Sequence, residues 1–276
     1  MRKKFLPGFL KQTILIIPVV MVLGPLFYIV MGAFKTKVDY ITNQAGLPKQ
    51  FVLDNFRTLL TDGQMLMWFR NSIFVMAFSV VISVVISALA AYSFAKIRFK
   101  ARDKIFNFII SLMVIPPIVM IIPIFVLATK TRLVNTYWSA ILIYVGLMMP
   151  FNIYLLRNFF ITIPQSLIDS AKIDGCNDMV VFLRIIIPLA KTALITLTVV
   201  SVLWVWNELL VALIFLQKKS LTTLMVGLVQ YQGKYKINQP AMLAGVLVSL
   251  VPMLLIYLFG QRYFVRGLTA GALKGE

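Results

Sequence analysis

The sequence predicts an all-α fold, a polytopic membrane bundle of six transmembrane helices, and three observations carry the prediction. Apolar residues make up 61% of the chain and the mean hydropathy is +0.93, well above a soluble globular domain. The apolar residues gather into runs long enough to cross about 30 Å of hydrocarbon. The basic residues fall in clusters between those runs rather than on one soluble face. The longest interval outside the runs, 35–71, leaves no room for a separate soluble catalytic domain. Residues 1–276 are therefore read as a single transmembrane domain, with spans at 13–34, 72–95, 105–128, 138–160, 192–215 and 241–264.

The first run follows Arg2, Lys3 and Lys4 and ends in Met31-Gly32-Ala33, a layout shared with secretory signals. At about 22 residues it exceeds the roughly 7 to 15 of a signal core, so a retained anchor is expected. The 35–71 connection, with Gly46, Pro48 and the amphipathic stretch Phe51-Val52-Leu53-Asp54-Asn55-Phe56-Arg57, reads as an ordered outer loop. After the second span come Lys96, Arg98, Lys100, Arg102 and Lys104, five cations within nine residues, which the positive-inside tendency assigns to the cytoplasm. Arg2, Lys3, Lys4 and Lys11 put the N-terminus on the same side, and six crossings then bring both termini and the loop after span four there. The outer loops keep Lys35, Lys37, Lys49, Arg57 and Arg70, so the two dense clusters carry the orientation. Trp68 and Trp138 fall at outer span ends, as in an aromatic belt. Pro116-Pro117 and Pro123 interrupt the third span, Pro150 the fourth and Pro252 the sixth; each is a simple kink or a break that neighbouring helices satisfy.

Between spans four and five lies a polar segment, 163–188. It reads Ile163-Pro164-Gln165-Ser166-Leu167-Ile168-Asp169-Ser170-Ala171-Lys172-Ile173-Asp174-Gly175, then Phe182 and Ile187-Pro188, and holds Asp169, Asp174 and Asp178, three of the nine acidic residues. Pro164 and Ser166 open a short helix, with Asp169 three residues after Ser166 as in a capping box. Gly175 closes it in the left-handed conformation. Leu167, Ile168 and Ala171 form one side, Asp169 and Lys172 the other. A helix this short is marginal alone, so its shape comes from docking. The single cysteine, Cys176, lies in the same loop and has no partner for an internal disulfide.

This segment resembles the signature loop of ABC-transporter membrane subunits: Glu-Ala-Ala, three residues, Gly, then a Phe and an Ile-x-x-Pro-like ending. Here the triplet is Asp169-Ser170-Ala171, and Asp174-Gly175, Phe182, Ile185 and Pro188 stand where the pattern wants them. Asp for Glu keeps the charge on a shorter arm, and Ser for Ala stays small. Further matches resemble the carbohydrate-uptake branch, and in particular the maltose-permease-G-like subunit of its pair. They are Asn71-Ser72, 90–95, Arg98-Phe99, Leu133-Val134-Asn135-Thr136, Pro150-Phe151, Leu155-Leu156-Arg157, Trp206-Asn207-Glu208 and the tail 261–275.

The resemblance implies that the loop is a cytoplasmic coupling helix lying in a cleft of an ATPase subunit, with Asp169, Ser170, Ala171, Asp174 and Gly175 transmitting force. It also implies the partners: a second homologous permease, two ATPase subunits and an extracytoplasmic sugar-binding protein, in a bacterial or archaeal cytoplasmic membrane. The function expected is the transmembrane subunit of an ATP-driven importer of sugars or oligosaccharides. ATP with magnesium belongs to the ATPase partners, and no cofactor is expected in this chain.

Elimination supports a non-enzymatic role. With no histidine and one cysteine, histidine-ligated zinc, a Ser-His-Asp triad and a His-Cys pair are all impossible, and no metal site is expected. No Gly, four residues, Gly-Lys-Ser/Thr spacing exists, so another polypeptide must hydrolyse ATP. The net charge of +18 follows membrane topology, not nucleic-acid binding. Glu208 is the one acidic side chain inside an apolar run, roughly 24 Å along a helix from Thr192. With Trp206 and Asn207 it either lines the sugar path or forms a hydrogen-bonded structural anchor between the two membrane subunits or near the interface. The rival functions are a permease for a non-sugar solute, an ion-coupled secondary transporter and a membrane scaffold. The secondary transporter wants several intramembrane titratable groups, where this chain offers Glu208.

Overall fold

The computed structural model describes residues 8–61, 63–234 and 238–272; Arg2, Lys3 and Lys4, which helped set the expected orientation, and Leu273-Lys274-Gly275 of the tail lie outside them. The elements are α1 (Gly8–Ala33), α2 (Lys37–Thr42), α3 (Asp54–Thr61), α4 (Gln64–Lys96), α5 (Arg102–Ser111) and α6 (Pro117–Lys130). They continue with α7 (Tyr137–Ile161), α8 (Gln165–Ile173), α9 (Asp178–Leu189), α10 (Lys191–Asn207), α11 (Leu210–Phe215), α12 (Leu224–Lys234) and α13 (Gln239–Ala272). No strand occurs among the described residues.

Four helices are long and apolar enough to cross a membrane: α1, α4, α7 and α13. Two bent pairs bring the number to as many as six if each is one span: α5 with α6, bent by 103°, and α9 with α10, bent by 78°. The first bend falls at Ile115 and Pro116, where the proline pair denies the backbone both a donor and helical space. Pro150 and Pro252, by contrast, sit inside unbroken helices. Three expectations need correction. Helix α4 starts at Gln64 rather than at residue 72, and Trp68 is buried in its first turns instead of forming an interfacial belt, whereas Trp138 is exposed. The expected single span 192–215 is interrupted after Asn207 and resumes at Leu210.

The chain divides into two compact units, one of Met1–Leu66 with Gly227–Val251 and the other of Met67–Val226 with Pro252–Glu276. In the first, the expected ordered loop after α1 is built on a fully buried lysine. Lys35 donates to the carbonyls of Asn43 and Gln44, at the C-terminal end of α2 where a cation is favoured. Asn55 donates back to Ala33 O and Lys35 O at 2.8 and 2.9 Å, Thr36 caps α2, and Asp39 Oδ2 accepts from Lys49 N at 2.9 Å. Burial, with the Tyr28 hydroxyl bonded to it, pushes the Tyr40 phenol up to about 12. In this unit Gly32 also lets α1 approach closely, since a Cβ there would collide with Leu243 of α13.

In the second unit, α7 is the shared support. Its residues Ile141, Tyr144 and Met148 pack with Val75 and Val80 of α4, Val205 of α10, and Val211 and Phe215 of α11. Further along, Leu156 and Phe160 pack with Ala88, Ala91 and Tyr92 of α4, Ile168 and Ala171 of α8, Phe182 and Ile186 of α9, and Leu197 of α10. Helix α4 meets these neighbours along a stripe of small buried residues at every fourth position, Ser79, Ser83, Ser87 and Ala91. Lipid gives no hydrophobic drive for helix association, so small residues that allow close packing and polar side chains that bond across it do that work. Asn152 donates to Ser83 Oγ at 2.9 Å.

The candidate coupling loop and the helix break at Glu208

Helix α8 ends in a paired-hydrogen-bond glycine motif. Gly175 stands at φ +84°, its N–H donates to Lys172 O at 3.1 Å, and the Cys176 N–H reaches back to Ala171 O at 2.9 Å. This closes two of the last carbonyls of the helix and turns the chain toward α9. The helix start differs from the expected capping box. Pro164 is the N-cap and gives no side-chain bond, Ser166 lies inside the first turn, and Asp169 accepts from Gln165 Nε2 at 3.1 Å.

Docking fixes α8 from beneath. Ile168 and Ala171 are buried against α4, α7 and α9, while Leu167, expected beside them, is 45% exposed and Ile173 is 86% exposed. Asp169, Ser170, Lys172, Asp174 and Gly175 are exposed as well. Of the five residues expected to transmit force, only Ala171 is buried. Lys96, at the C-terminal end of α4, donates to Ile163 O at 2.6 Å and so ties the entry of the loop to that helix. Lys172 pairs across the turn with Asp178 at 2.9 Å, and Asn177 caps α9 through Val180 N at 2.9 Å. Phe182, the aromatic of the motif, packs on Tyr92 with ring centroids 5.3 Å apart. The result is a short helix with a polar outer face and two exposed aliphatic side chains, rigidly held by the ends of long helices.

Glu208 sits at the interruption between α10 and α11. Its Oε1 accepts from Leu210 N at 2.9 Å and Val211 N at 3.1 Å, and its Oε2 from Val211 N at 3.0 Å and Tyr144 Oη at 2.7 Å. The carboxylate thus satisfies the amides freed at the start of α11 and anchors the break to α7. The trio does not share one surface. Trp206 is buried with its ring edge-on to Phe69 at 5.4 Å, and Asn207 is exposed and returns its amide to Leu203 O at 2.7 Å. Trp204, two residues before Trp206, reaches an open groove of about 680 Å³. That groove is lined mainly by apolar side chains such as Ile124, Leu127, Leu142 and Phe151.

Several residues gain a role that spacing alone did not reveal. Asn71 donates to Ser220 O and Thr222 O, both at 2.9 Å, and accepts from Tyr137 Oη at 2.7 Å. Ser72 Oγ accepts from Leu224 N at 2.8 Å, and Asn135, at φ +63°, accepts from Lys218 N at 3.0 Å. Together they tie the 216–224 connection to the ends of α4 and α7. Tyr144 and Lys96 were missed as site residues, because their partners lie 64 and 67 positions away.

Residues 83–269 match the family described as binding-protein-dependent transport system inner membrane component. The chain is similar to the arabinooligosaccharides transport system permease protein AraQ of Halalkalibacterium halodurans, 32% identical over 255 residues that cover 91% of each protein. It is similar also to the melibiose/raffinose/stachyose import permease protein MelC of Bacillus subtilis, 30% identical over 252 residues, again 91% of each. Among solved structures, the fold is shared with a bacterial ABC transporter involved in the import of the acidic polysaccharide alginate. The TM-score there is 0.67 at 16% identity, covering 94% of this chain and 96% of that one.

Proposed function

We propose that this chain, which belongs to the family of binding-protein-dependent transport system inner membrane components, is one of two homologous permeases in an ATP-driven importer of sugars or oligosaccharides. The observation that carries the proposal is α8, a short helix with an outward polar face, pinned by Lys96, Ile168 and Ala171 to the ends of long apolar helices. Such a helix passes force between a partner and the spans. Relatives at 30% identity or more that are named for the transport of arabinooligosaccharides and of melibiose, raffinose and stachyose support the substrate class.

In this reading two ATPase subunits, holding ATP and magnesium, receive α8 and its counterpart on the second permease. An extracytoplasmic binding protein delivers the sugar. Closure of the ATPases on ATP draws the coupling helices together and rocks the spans between inward-open and outward-open states. Asp169, Ser170, Asp174 and Gly175 present the contact and Ala171 seats the helix. In the same reading the chain crosses six times, so that both termini, the basic turn after α4 and α8 lie in the cytoplasm. For Glu208 the geometry favours a structural anchor within this chain, in place of one between subunits, since its bonds to Leu210, Val211 and Tyr144 occupy both carboxylate oxygens. Trp204, facing the groove, is the better candidate for the translocation path than Trp206.

The test is purification of the tagged chain from its native membrane, with ATPase activity measured against a panel of sugar-loaded binding proteins. Recovery of a second permease and an ATPase, stimulated by one loaded binding protein, is the expected result. Recovery of the chain alone, with uptake driven by an ion gradient after reconstitution, would overturn it in favour of a secondary transporter.

A further inference from the structure

The turn between α4 and α5 holds a second feature, distinct from the coupling surface. A cavity of about 460 Å³ opens there, lined by Arg98, Phe99, Ala101, Arg102, Asp103 and Lys104. Ala101, at φ +63°, folds the turn back on itself, so that cations from both sides of it line one space. Three cations stand against one carboxylate. Arg102 is paired with Asp103 at 3.1 Å, and Asp103 also lies 3.9 Å from Arg157. Arg98 and Lys104 are exposed, and neither has a carboxylate within ion-pair distance among the described residues. Uncompensated cations beside an exposed aromatic ring are a pairing that bulk water does not require.

Position decides what fits. The cavity lies within a few residues of the end of α4, a helix apolar enough to span a bilayer, and α5 begins beside it with exposed Ile105 and Phe108. If α4 spans the bilayer to its end at Lys96, a ligand there lies at the level where lipid headgroups meet hydrocarbon. Clusters of Lys and Arg at that level attract anionic lipids, each cation contributing roughly a five-fold preference. We propose that this cavity binds the phosphodiester headgroup of an anionic phospholipid, with Arg98 and Lys104 as its charge partners and Phe99 against the glycerol and upper acyl chain. Lys96, two residues before Arg98, holds the Ile163 carbonyl. The headgroup and the coupling loop therefore share one support, the end of α4.

The test needs no transport activity, so its outcome is separate from that of the import reading. The full chain, purified in detergent, is incubated with phosphatidylglycerol, phosphatidylcholine or inorganic phosphate, and retained lipid is counted by native mass spectrometry. Expected is preferential retention of phosphatidylglycerol, reduced about five-fold by Arg98→Gln and again by Lys104→Gln. Arg98→Lys should restore most of it, and Lys130→Gln, an exposed cation outside the cavity, should leave it unchanged. Equal retention by the double Gln variant, or equal retention of phosphatidylcholine, overturns the proposal. Displacement of the lipid by millimolar inorganic phosphate also overturns it, by making the ligand a free phosphate.

Discussion

Gly175 stands at φ +84°, a conformation that costs an L-residue about 1–2 kcal/mol, and nothing lies within 4 Å of where its Cβ would be. In the isolated chain, then, a side chain here meets a backbone penalty but no collision. Any larger effect of bulk must come from a partner. Gly175→Asn, which tolerates the left-handed region, is expected to keep uptake coupled to ATP hydrolysis. Gly175→Leu, at normal expression, is expected to hydrolyse ATP without transport, and normal uptake by that variant would count against α8 as the docking helix. Glu208 supports a second residue-level expectation. Glu208→Ala strands the Leu210 and Val211 amides and the Tyr144 hydroxyl, so unfolding free energy in micelles should fall by about 2–4 kcal/mol. A double-mutant cycle with Tyr144→Phe should give a coupling of about 0.6 kcal/mol, with roughly 1.7 as a ceiling; zero coupling would remove Tyr144 from the anchor. The glycine was legible in the sequence, because a left-handed helix end leaves a local signature. The tyrosine was not, because no local pattern records a partner 64 residues away.

Among the elements, a proline pair made a break legible where single prolines and a lone carboxylate did not. Pro116-Pro117 announced the 103° bend between α5 and α6. Pro150 and Pro252 announced nothing comparable, since α7 and α13 run on through them. The interruption after Asn207 has neither proline nor glycine and exists because Glu208 accepts the amides of the next helix, so hydropathy drew one span where there are two helices. Helix α8 was foreseen, but not its bonds. Its half-exposed Lys172–Asp178 pair should contribute under about 1 kcal/mol after solvent screening, so Asp178→Asn is expected to leave coupling nearly intact. The part-buried Lys96 bond to Ile163 O is a different case. Lys96→Met leaves that carbonyl unanswered, and amide hydrogen exchange in α8 is expected to accelerate while exchange in α10 does not. Unchanged α8 protection would show that apolar packing of Ile168 and Ala171 alone seats the helix.

Across the whole chain, the open question of topology reduces to whether the two bent pairs cross the membrane. Composition alone counts six apolar runs, but a 103° bend is compatible with a re-entrant hairpin as well as with a broken span. The two alternatives assign the basic turn 97–101 and helix α8 to different relations. If α5 with α6 crosses once and α7 crosses back, the turn and α8 lie on the same side; if the pair enters and leaves by one face, they lie on opposite sides. The single native cysteine makes this measurable, because Cys176→Ser gives a cysteine-free background. Lys100→Cys and Ile173→Cys, both at exposed positions, are then labelled with a membrane-impermeant maleimide in intact cells and in inside-out vesicles. Both are expected to label in the vesicles alone, which places the five-cation cluster and the coupling helix in the cytoplasm, as the positive-inside tendency requires. Val38→Cys, on the exposed face of α2, should label in intact cells, being one crossing away from the basic turn through α4. Labelling of Lys100→Cys and Ile173→Cys from opposite faces would make α5 and α6 a re-entrant hairpin. It would also separate α8 from the compartment where ATP is hydrolysed, and the import mechanism would fall with the topology.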